Sequence, residues 1–253
     1  MRYFWRKIFT AVLIILTMCL PARAGGLWLY EGGTPDLGTA AAGRAAMALD
    51  ASTAGGNPAG MTRLEGNQMT AGFQTLFPQI KFDVEEDSFG GGNGGNAGYF
   101  TPVATLYYVH SLSPDFKLGV SAGSYFGLGL EYDESWAGRY YFQEGQFLTF
   151  GLNPVAAYRI NKYLSVGGGV SLVVSNYEAK TAIRNLEPGS GDGRLEFDAN
   201  DTGYGANLGL LIEPREGTRF GITYRSKVDL EYEDKLKLKK IGPLLETALD
   251  VTG

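Results

Sequence analysis

Basic side chains are the groups in this sequence best suited to binding chemistry, because a guanidinium can hold a carboxylate through two parallel hydrogen bonds. Arg139 lies among aromatic residues in a long connection, where the simplest interpretation is a surface ion pair with Asp133 or Glu134. Exposed pairs of this kind contribute about 1 kcal/mol or less. The alternative is that Arg139 steers a carboxylate ligand, and both interpretations stay open.

Two further cations, Arg225 and Lys227, fall on one face of a late predicted strand together with Asp229 and Glu231. A face with this density of charge is typical of a wall in contact with water. The favoured interpretation is therefore a solvated surface, and the second is a contact between either cation and an anionic head group.

The residues that enzymes and metal sites require are sparse. His110 is the only histidine and lies beside a short turn, without a second His or Cys for a metal or a convincing Ser/Asp partner for nucleophilic catalysis. The glycine-rich run at 90–95 lacks the Lys and Ser/Thr of a phosphate loop. The sequence therefore predicts no catalytic residue, no metal ligand and no cofactor, which argues against an enzyme.

Residues 1–24 have the organisation of a secretory signal peptide, with basic residues before an apolar run and small residues before a cleavage point after Ala24. A lipoprotein signal at Cys19 is less favoured, because Met18 is bulky where that signal requires a small residue. Cleavage removes the single cysteine and moves the formal charge from −5 to −9, since the leader carries four cations and no acids. An acidic chain without thiols argues against a nucleic-acid partner and against disulfides.

Beyond the leader, hydrophobic residues alternate with small or polar ones in about seven segments, which is the period of β-strands. The clearest pair lies within 146–176, where each apolar band covers about ten residues, roughly what a tilted strand needs to cross a bilayer. The predicted strands lie near 68–77, 100–110, 116–130, 148–160, 164–175, 204–212 and 220–231. A soluble sandwich shows the same alternation, so the strands alone do not decide between lipid and a protein core.

The connections between the strands favour a membrane barrel. Short turns at 111–115, 160–163 and 213–218 alternate with long connections at 80–98, 131–145 and 181–194. Outer-membrane barrels have short periplasmic turns, long external loops and aromatic girdles at both interfaces. Tyrosines near strand ends suit such girdles, at Tyr107, Tyr108, Tyr158, Tyr163 and Tyr224. The predicted fold class is all-β, a transmembrane antiparallel β-barrel.

The segment 25–64 is rich in Ala, Gly and small polar residues and lacks strand alternation. Alanine and methionine propensity predicts a short helix over 39–49, and the residues at 55–58 predict a turn. About forty residues without long regular structure rarely stand alone. This segment is therefore expected to pack inside or against the strands.

Four sequence words, in order, resemble the FadL family of outer-membrane transporters of long-chain fatty acids, whose relatives take up toluene and similar hydrocarbons. They are Asn57-Pro58-Ala59, EYDESWAGRY at 131–140, LNPVAAYR at 152–159 and GTRFGITYRSK at 217–227. The resemblance extends from residue 25 to about residue 233. It implies localisation in the outer membrane of a Gram-negative bacterium.

The resemblance also implies an architecture and a route. A fourteen-stranded barrel would be plugged by an N-terminal hatch at 25–64, gated by Asn57, Pro58 and Ala59, with 65–253 as the first half of the wall. A hydrophobic ligand would be captured outside, enter the lumen and leave sideways into the membrane at a kinked third strand. The third external loop at 181–194 departs from the family, because it is short and polar where the family builds an apolar capture groove.

Glycines on the predicted third strand face inward, and two interpretations fit them. Gly119, Gly123 and Gly127, with Gly129, could simply leave space for the hatch. Glycine within a strand also weakens the ladder and marks kinks, which predicts a lateral opening near Gly123.

Seven strands is an odd count for a bacterial barrel, so we expect this chain to be the front portion of a longer protein. The expected partners are a fatty acid or hydrocarbon ligand, outer-membrane lipid and the barrel-assembly machinery, with the full-length protein a monomer. The main alternative function is a general porin for hydrophilic solutes. A barrel hydrolase and a surface adhesin are further alternatives.

Overall fold

The computed structural model describes residues 29, 32–86 and 89–252, with backbone only for 250–252, so the predicted signal peptide at 1–24 lies outside the described residues. This part of the chain forms nine strands, namely β1 (Gln68–Leu76), β2 (Thr101–Ser111), β3 (Phe116–Gly123), β4 (Gly127–Glu131), β5 (Glu144–Asn161), β6 (Leu164–Ile183), β7 (Gly193–Arg215), β8 (Thr218–Arg225) and β9 (Lys237–Lys239). They form one antiparallel sheet in the order β1-β2-β3-β5-β6-β7-β8, with β4 beside β5 and β9 beside β7. No helix in the described ranges is long and apolar enough to cross a membrane.

The polarity of the two sheet faces is the reverse of a soluble protein, which confirms the membrane interpretation. Asn153 and Ser165 are completely buried, whereas Met69, Phe73 and Tyr204 are each at least 70% exposed. Soluble monomers rarely expose a continuous apolar surface of this kind. A lipid-facing band with small and polar residues on the opposite face is the arrangement of a transmembrane barrel.

The sheet curls around residues 32–64, which we call the N-terminal segment. This segment reaches β1, where Thr70 donates a 2.9 Å hydrogen bond to Asp50, and β8, where Arg225 donates a 2.9 Å hydrogen bond to the Gly55 carbonyl. In a flat sheet those two strands would lie roughly 28 Å apart. The strands therefore form a curved barrel wall with the N-terminal segment against its inner face.

Three predicted strand bounds need correction. The predicted third strand is two strands, because pairing stops after Gly123 and resumes at Gly127. The predicted seventh strand ends at Arg225, so Lys227 is not on a strand. The hairpin β6-β7 is longer than the apolar pattern indicated, since pairing continues to Ile183 opposite Gly193 through residues too polar for a lipid-facing band.

The predicted helix over 39–49 is wrong. Ala40, Ala41 and Ala48 have φ values of 50°, 63° and 67°, and these left-handed conformations interrupt any helix. The helix propensity of alanine is small, and packing against the wall determines the conformation here instead. The N-terminal segment instead contains short helices, namely 3-10 turns at Leu37–Thr39 and Pro58–Arg63 and helix α1 at Thr53–Gly56. The predicted turn at 55–58 is the junction between the last two.

One of the five predicted girdle tyrosines faces the other way. Tyr107 is only 9% exposed and packs beside Gly55 of the N-terminal segment. The other four are outward and exposed: Tyr108, Tyr158, Tyr163 and Tyr224. Because Tyr107 and Tyr108 are adjacent in β2, the strand's period of two sends them to opposite faces.

Candidate functional site

Glycines on the inner face of the wall form bays that receive the N-terminal segment. A Cβ at Gly167 would lie 2.6 Å from the Ala59 nitrogen and 2.7 Å from the Pro58 carbonyl carbon. Gly209 lies beneath the Asn57 side chain in the same way. The same relation holds for Gly72 with Gly32, Gly119 with Met61 and Gly221 with Ala45. The absent side chains allow backbone of the segment to approach Gly72, Gly167 and Gly221 closely, and they allow the side chains of Asn57 and Met61 to approach Gly209 and Gly119.

Asn57 joins the N-terminal segment to the wall. Asn57 is 1% exposed. Its Nδ2 donates hydrogen bonds to the carbonyls of Ala45, at 2.5 Å, and Leu210, at 2.9 Å. Its Oδ1 accepts a 3.1 Å hydrogen bond from the Ala59 nitrogen and so caps the following 3-10 turn. All three residues of the predicted Asn57-Pro58-Ala59 element therefore contact the inner face of the wall.

We expect Asn57→Ala to lower the free energy of unfolding of the full-length protein by about 2–4 kcal/mol, because it removes three buried hydrogen bonds, to Ala45, Leu210 and Ala59. Guanidinium unfolding in detergent measures this loss. The matched control is Asn200→Ala, since the Asn200 side chain is exposed and only accepts from Asn176. Equal stability of the two variants would contradict a docking role for Asn57.

The wall is interrupted between β3 and β4. Pairing of β2 with β3 runs only as far as Thr105 opposite Gly123. On the other side, β5 pairs with β3 up to Gly151 and with β4 from Leu148 onward. Residues 124–126 therefore stay beside β5 but do not pair with β2. The first part of β2 has no ladder partner on the edge where β3 would lie. A Cβ at Gly123 would lie 2.8 Å from the Ala104 carbonyl oxygen, so glycine is needed where the strands separate.

Two cavities meet at this break. The inner cavity lies between the N-terminal segment and the wall and is lined in part by Tyr107 and Tyr125. The outer cavity includes Phe150 and Val174, which are exposed on the outer face, together with inner-face polar residues. Leu29 and Ser124 line both cavities. The break is thus the point where the inner cavity approaches the lipid-facing surface.

The three glycines predicted for a lateral opening are not equivalent. Gly123 and Gly127 bracket the break, and Gly127 faces Leu29, whose nearest methyl carbon would lie 3.0 Å from a Cβ. Gly119 lies in the fully paired part of β3 against Met61, where it makes room for the N-terminal segment. Tyr125 was not predicted as a site residue. Its signal was present, because between Gly119 and Gly129 it is the one bulky residue on an inner face otherwise made of glycine and serine.

Arg139 has a different carboxylate partner from the two that the sequence suggested. Its Nε lies 2.8 Å from Asp192 Oδ2, and its Nη1 donates to the carbonyls of Gly90 and Trp136. Tyr140 donates to the other Asp192 oxygen at 2.7 Å. Asp192 is 53 residues away in sequence, so only the meeting of three external loops creates this pair. Arg139 thereby connects the first, second and third of these loops.

The connection should depend on pH. Burial raises the pKa of Asp192, but hydrogen bonds from Arg139 and Tyr140 outweigh it, so the pKa lies below its ordinary value. A carboxyl with a depressed folded-state pKa contributes stability above its unfolded value and loses it as the pH falls through the folded one. Below about pH 4 we therefore expect faster hydrogen exchange in residues 132–143 and 184–192.

Asp192→Asn should produce the same loosening at neutral pH, with a loss of about 1 kcal/mol of local stability. Asp229→Asn is the control, because Asp229 is 70% exposed and, among the described residues, pairs only with Lys227. If exchange in these loops were equally slow in both variants, Arg139 would not depend on Asp192.

The other predicted cations are separated. Arg225 packs its guanidinium 5.2 Å from the Tyr125 ring centroid while bonding Gly55, so it lies at the inner cavity's edge. Lys227 is 83% exposed and forms a 3.0 Å ion pair with Asp229. A further cation at the inner cavity, Arg44, was not predicted; it pairs with Asp36 inside the N-terminal segment. Burial raises the pKa of Asp36, but hydrogen bonds from Arg44 and Thr34 bring it below its ordinary value.

Comparison with known protein families identifies the family of this chain. Residues 15–249 match the family described as outer membrane protein transport protein (OMPP1/FadL/TodX). The chain belongs to the OMPP1/FadL/TodX family. This confirms the family that the four sequence words resembled. It also confirms an outer-membrane β-barrel from a group of transport proteins rather than enzymes.

Relatives in this family are moderately similar over most of the chain. A long-chain fatty acid transport protein of Escherichia coli O6:H1 is 28% identical over 96% of this chain and 58% of its own length. Outer membrane protein P1 of Haemophilus influenzae is 29% identical over 90% of this chain and 60% of its own. The chain therefore spans somewhat under two thirds of the length of these relatives.

Solved structures of OMPP1/FadL/TodX proteins share the fold. A Pseudomonas aeruginosa FadL homologue superposes with a TM-score of 0.75 over 90% of this chain and 59% of its own, at 20% identity. The Ralstonia pickettii toluene transporter TbuX gives a TM-score of 0.55 over 74% of this chain and 55% of its own, at 22% identity. The curved wall described above is thus part of a known barrel fold.

Proposed function

We propose that the protein takes up hydrophobic small molecules, either long-chain fatty acids or aromatic hydrocarbons, across the outer membrane. The family and the printed names of its members support this class of ligand. The alternative of a general porin for hydrophilic solutes is not favoured by these matches. The partners in this proposal are the hydrophobic ligand and outer-membrane lipid, with the barrel-assembly machinery acting during biogenesis and the full-length protein a monomer.

The N-terminal segment acts in this proposal as the described part of a hatch at 25–64. The glycine bays and the hydrogen bonds of Asn57 support it, because they hold the segment against the wall by close contacts beside a small hydrophobic cluster in which Met61 joins Val109 and Val155. Such contacts are specific yet limited in number. Rearrangement around Asn57, Pro58 and Ala59 would change the inner cavity without unfolding the wall.

The single observation that carries the proposed route is the break at 124–126, where the inner cavity and the outer cavity share Leu29 and Ser124. A hydrophobic ligand leaving the inner cavity here would meet Phe150 and Val174 on the lipid-facing surface. It would thus pass from protein to hydrocarbon without crossing water, which is the favourable direction for an apolar molecule. Gly123 and Gly127 bracket this exit, and Gly119 serves the packing of the hatch.

The external capture step is proposed to involve the third external loop and the helix after β9. The third external loop at 184–192 is short and its Asn185 is bonded to Gly191 and Lys240. Helix α2, at Pro243–Thr252, begins three residues after Lys240, and its Leu244 and Leu249 are exposed. Together with the exposed Leu186 of the loop itself, these leucines are where a ligand is proposed to be collected.

Growth of a transport-deficient Gram-negative host tests the proposal. The full-length protein should restore growth on a long-chain fatty acid or restore toluene uptake, and it should leave entry of a hydrophilic sugar unchanged. Growth on only one of the two substrates identifies the ligand class. Restored sugar entry without uptake of either hydrophobic substrate would replace the proposal with the porin.

A further inference from the structure

A group of cations lies at the end of the wall that carries the short turns, on its inner face. We call Arg63, Lys117 and Arg159 the basal cation cluster. Lys117 in β3 stands opposite Ala157 of β5, and Arg159 lies two residues further along the same face. Arg63 ends the 3-10 turn of the N-terminal segment that reaches this point. Wall and N-terminal segment thus bring three positive charges together.

Lys117 is buried without an adequate counter-charge. The residue is 3% exposed, and its ammonium donates to the hydroxyl of Ser111. Among the described residues no carboxylate lies within ion-pair distance of it, and the charges that act on it are Arg159 and Asp115. A buried ammonium ordinarily requires a paired anion, because desolvation of an isolated charge is strongly unfavourable.

Arg159 also has unused hydrogen-bonding capacity. Its Nη2 donates to the Thr62 carbonyl, but its buried Nε has no hydrogen-bond partner in the described part of the chain. The Asp115 carboxylate is 3.8 Å from that nitrogen, and the Asp115 side chain is 55% exposed. This distance is too long for a hydrogen bond. Asp115 therefore neutralises Arg159 only weakly.

Arg63 completes the cluster from the other side of Thr62. Its Nε faces Glu213 Oε2 at 3.0 Å in an ion pair without hydrogen-bond alignment, whereas its buried Nη2 has no acceptor among the described residues. Glu213 is shared with Arg219, 3.4 Å away. Burial lowers the pKa of Arg63, with Arg159 and Arg219 adding to the effect and Glu213 opposing it. Cations thus outnumber carboxylates in this region.

We propose that the basal cation cluster is a binding site for an oxyanion, a carboxylate or a phosphate. Such an anion would accept from Arg63 and Arg159 and would neutralise Lys117. A merely structural role, in which cations stabilise the end of the 3-10 turn, explains the contact with the Thr62 carbonyl. It does not explain a buried Lys117 or guanidinium N–H groups without acceptors. The proposal does not depend on which hydrophobic ligand is transported.

Two sources of oxyanion fit this chemistry, and titration with two different anions distinguishes them. One is the carboxylate of an amphiphile that has reached the base of the lumen. The other is phosphate, free or on a phospholipid head group at the periplasmic interface. Titration of the full-length protein, in an uncharged detergent, with acetate and separately with inorganic phosphate distinguishes them by calorimetry. Saturable binding of either probe that requires the cluster supports the site and assigns its source.

Lys117→Met and Arg159→Gln should each weaken that binding at least about tenfold, as expected for loss of a charge-assisted contact. Lys162→Gln is the control, because Lys162 lies in a turn at the same end with its ammonium 4.8 Å from the Tyr163 ring centroid. Lys117→Met should also raise the unfolding midpoint of the anion-free protein, since it removes an uncompensated buried charge. Absence of saturable binding by both probes, or equal binding by the Lys117 and Lys162 variants, would overturn the site.

Discussion

Gly167→Ala is expected to displace the N-terminal segment from the wall and to lower the free energy of unfolding by about 3 kcal/mol or more. The added methyl would lie 2.6 Å from the Ala59 nitrogen, and the obstructing atoms belong to backbone that cannot rotate away. Overpacking against movable side chains costs about 1–3 kcal/mol, so a backbone obstruction is at the upper end of that range. Guanidinium unfolding of the full-length protein measures the loss.

A second measurement separates displacement of the segment from general damage to the barrel. Cells that express Gly167→Ala should become permeable to a bulky hydrophilic antibiotic, because the proposed hatch no longer fills the lumen. Gly191→Ala is the matched control, since a Cβ there meets no atom within 4 Å. An unchanged stability and an intact permeability barrier in Gly167→Ala would show that the bay is not needed for docking.

Ser124→Trp is expected to reduce uptake of the transported hydrophobic ligand by at least about tenfold, because an indole would fill the junction between the inner cavity and the outer cavity of about 330 Å³. Ser124 is suited to this test because it lines both cavities. It also lies in the unpaired stretch between β3 and β4, so the strand ladder need not change. Uptake of a radiolabelled fatty acid or of toluene by whole cells measures the effect.

The control for Ser124→Trp is Ser190→Trp, which adds the same side chain to an exposed external loop. Both variants should reach the outer membrane in equal amounts, and binding of ligand from outside should be unchanged. Wild-type uptake by Ser124→Trp would exclude the break as the exit. Uptake reduced equally by both tryptophans would point to an effect on assembly instead.

The membrane-facing pattern could be predicted from local sequence. Alternation in β5 and β6 placed Phe150 and Val174 on one face and Asn153 and Ser165 on the other, and the structure confirms that division. Such prediction works because a strand's side chains alternate by backbone geometry alone. The alternation of short and long connections could also be predicted, because it requires only the positions at which each alternating pattern begins and ends.

The interactions that define the candidate site could not be read in this way. Arg139 pairs with Asp192 because separate loops meet above the wall, and Asn57 bonds Leu210 across 153 positions of sequence. Tyr107 was assigned to a girdle because an aromatic residue near a strand end suits either face. The N-terminal segment was predicted to be partly helical because propensity does not include the glycine bays that hold it in another shape.

The sequence by itself determined which residues share each face of the wall, since that follows from a period of two repeated over many residues. The alternation of short and long connections then favoured lipid on the apolar face. Only the tertiary structure decided where that wall is interrupted. The break at 124–126 exists because β2 separates from β3 at Gly123 while β5 continues unbroken beside both halves, and such a difference between two neighbours is not encoded in the alternation of one strand. The same reason applies to the basal cation cluster, whose members come from two strands and a helical turn. Donors of Arg63 and Arg159 become buried without acceptors among the described residues only when these three elements pack together.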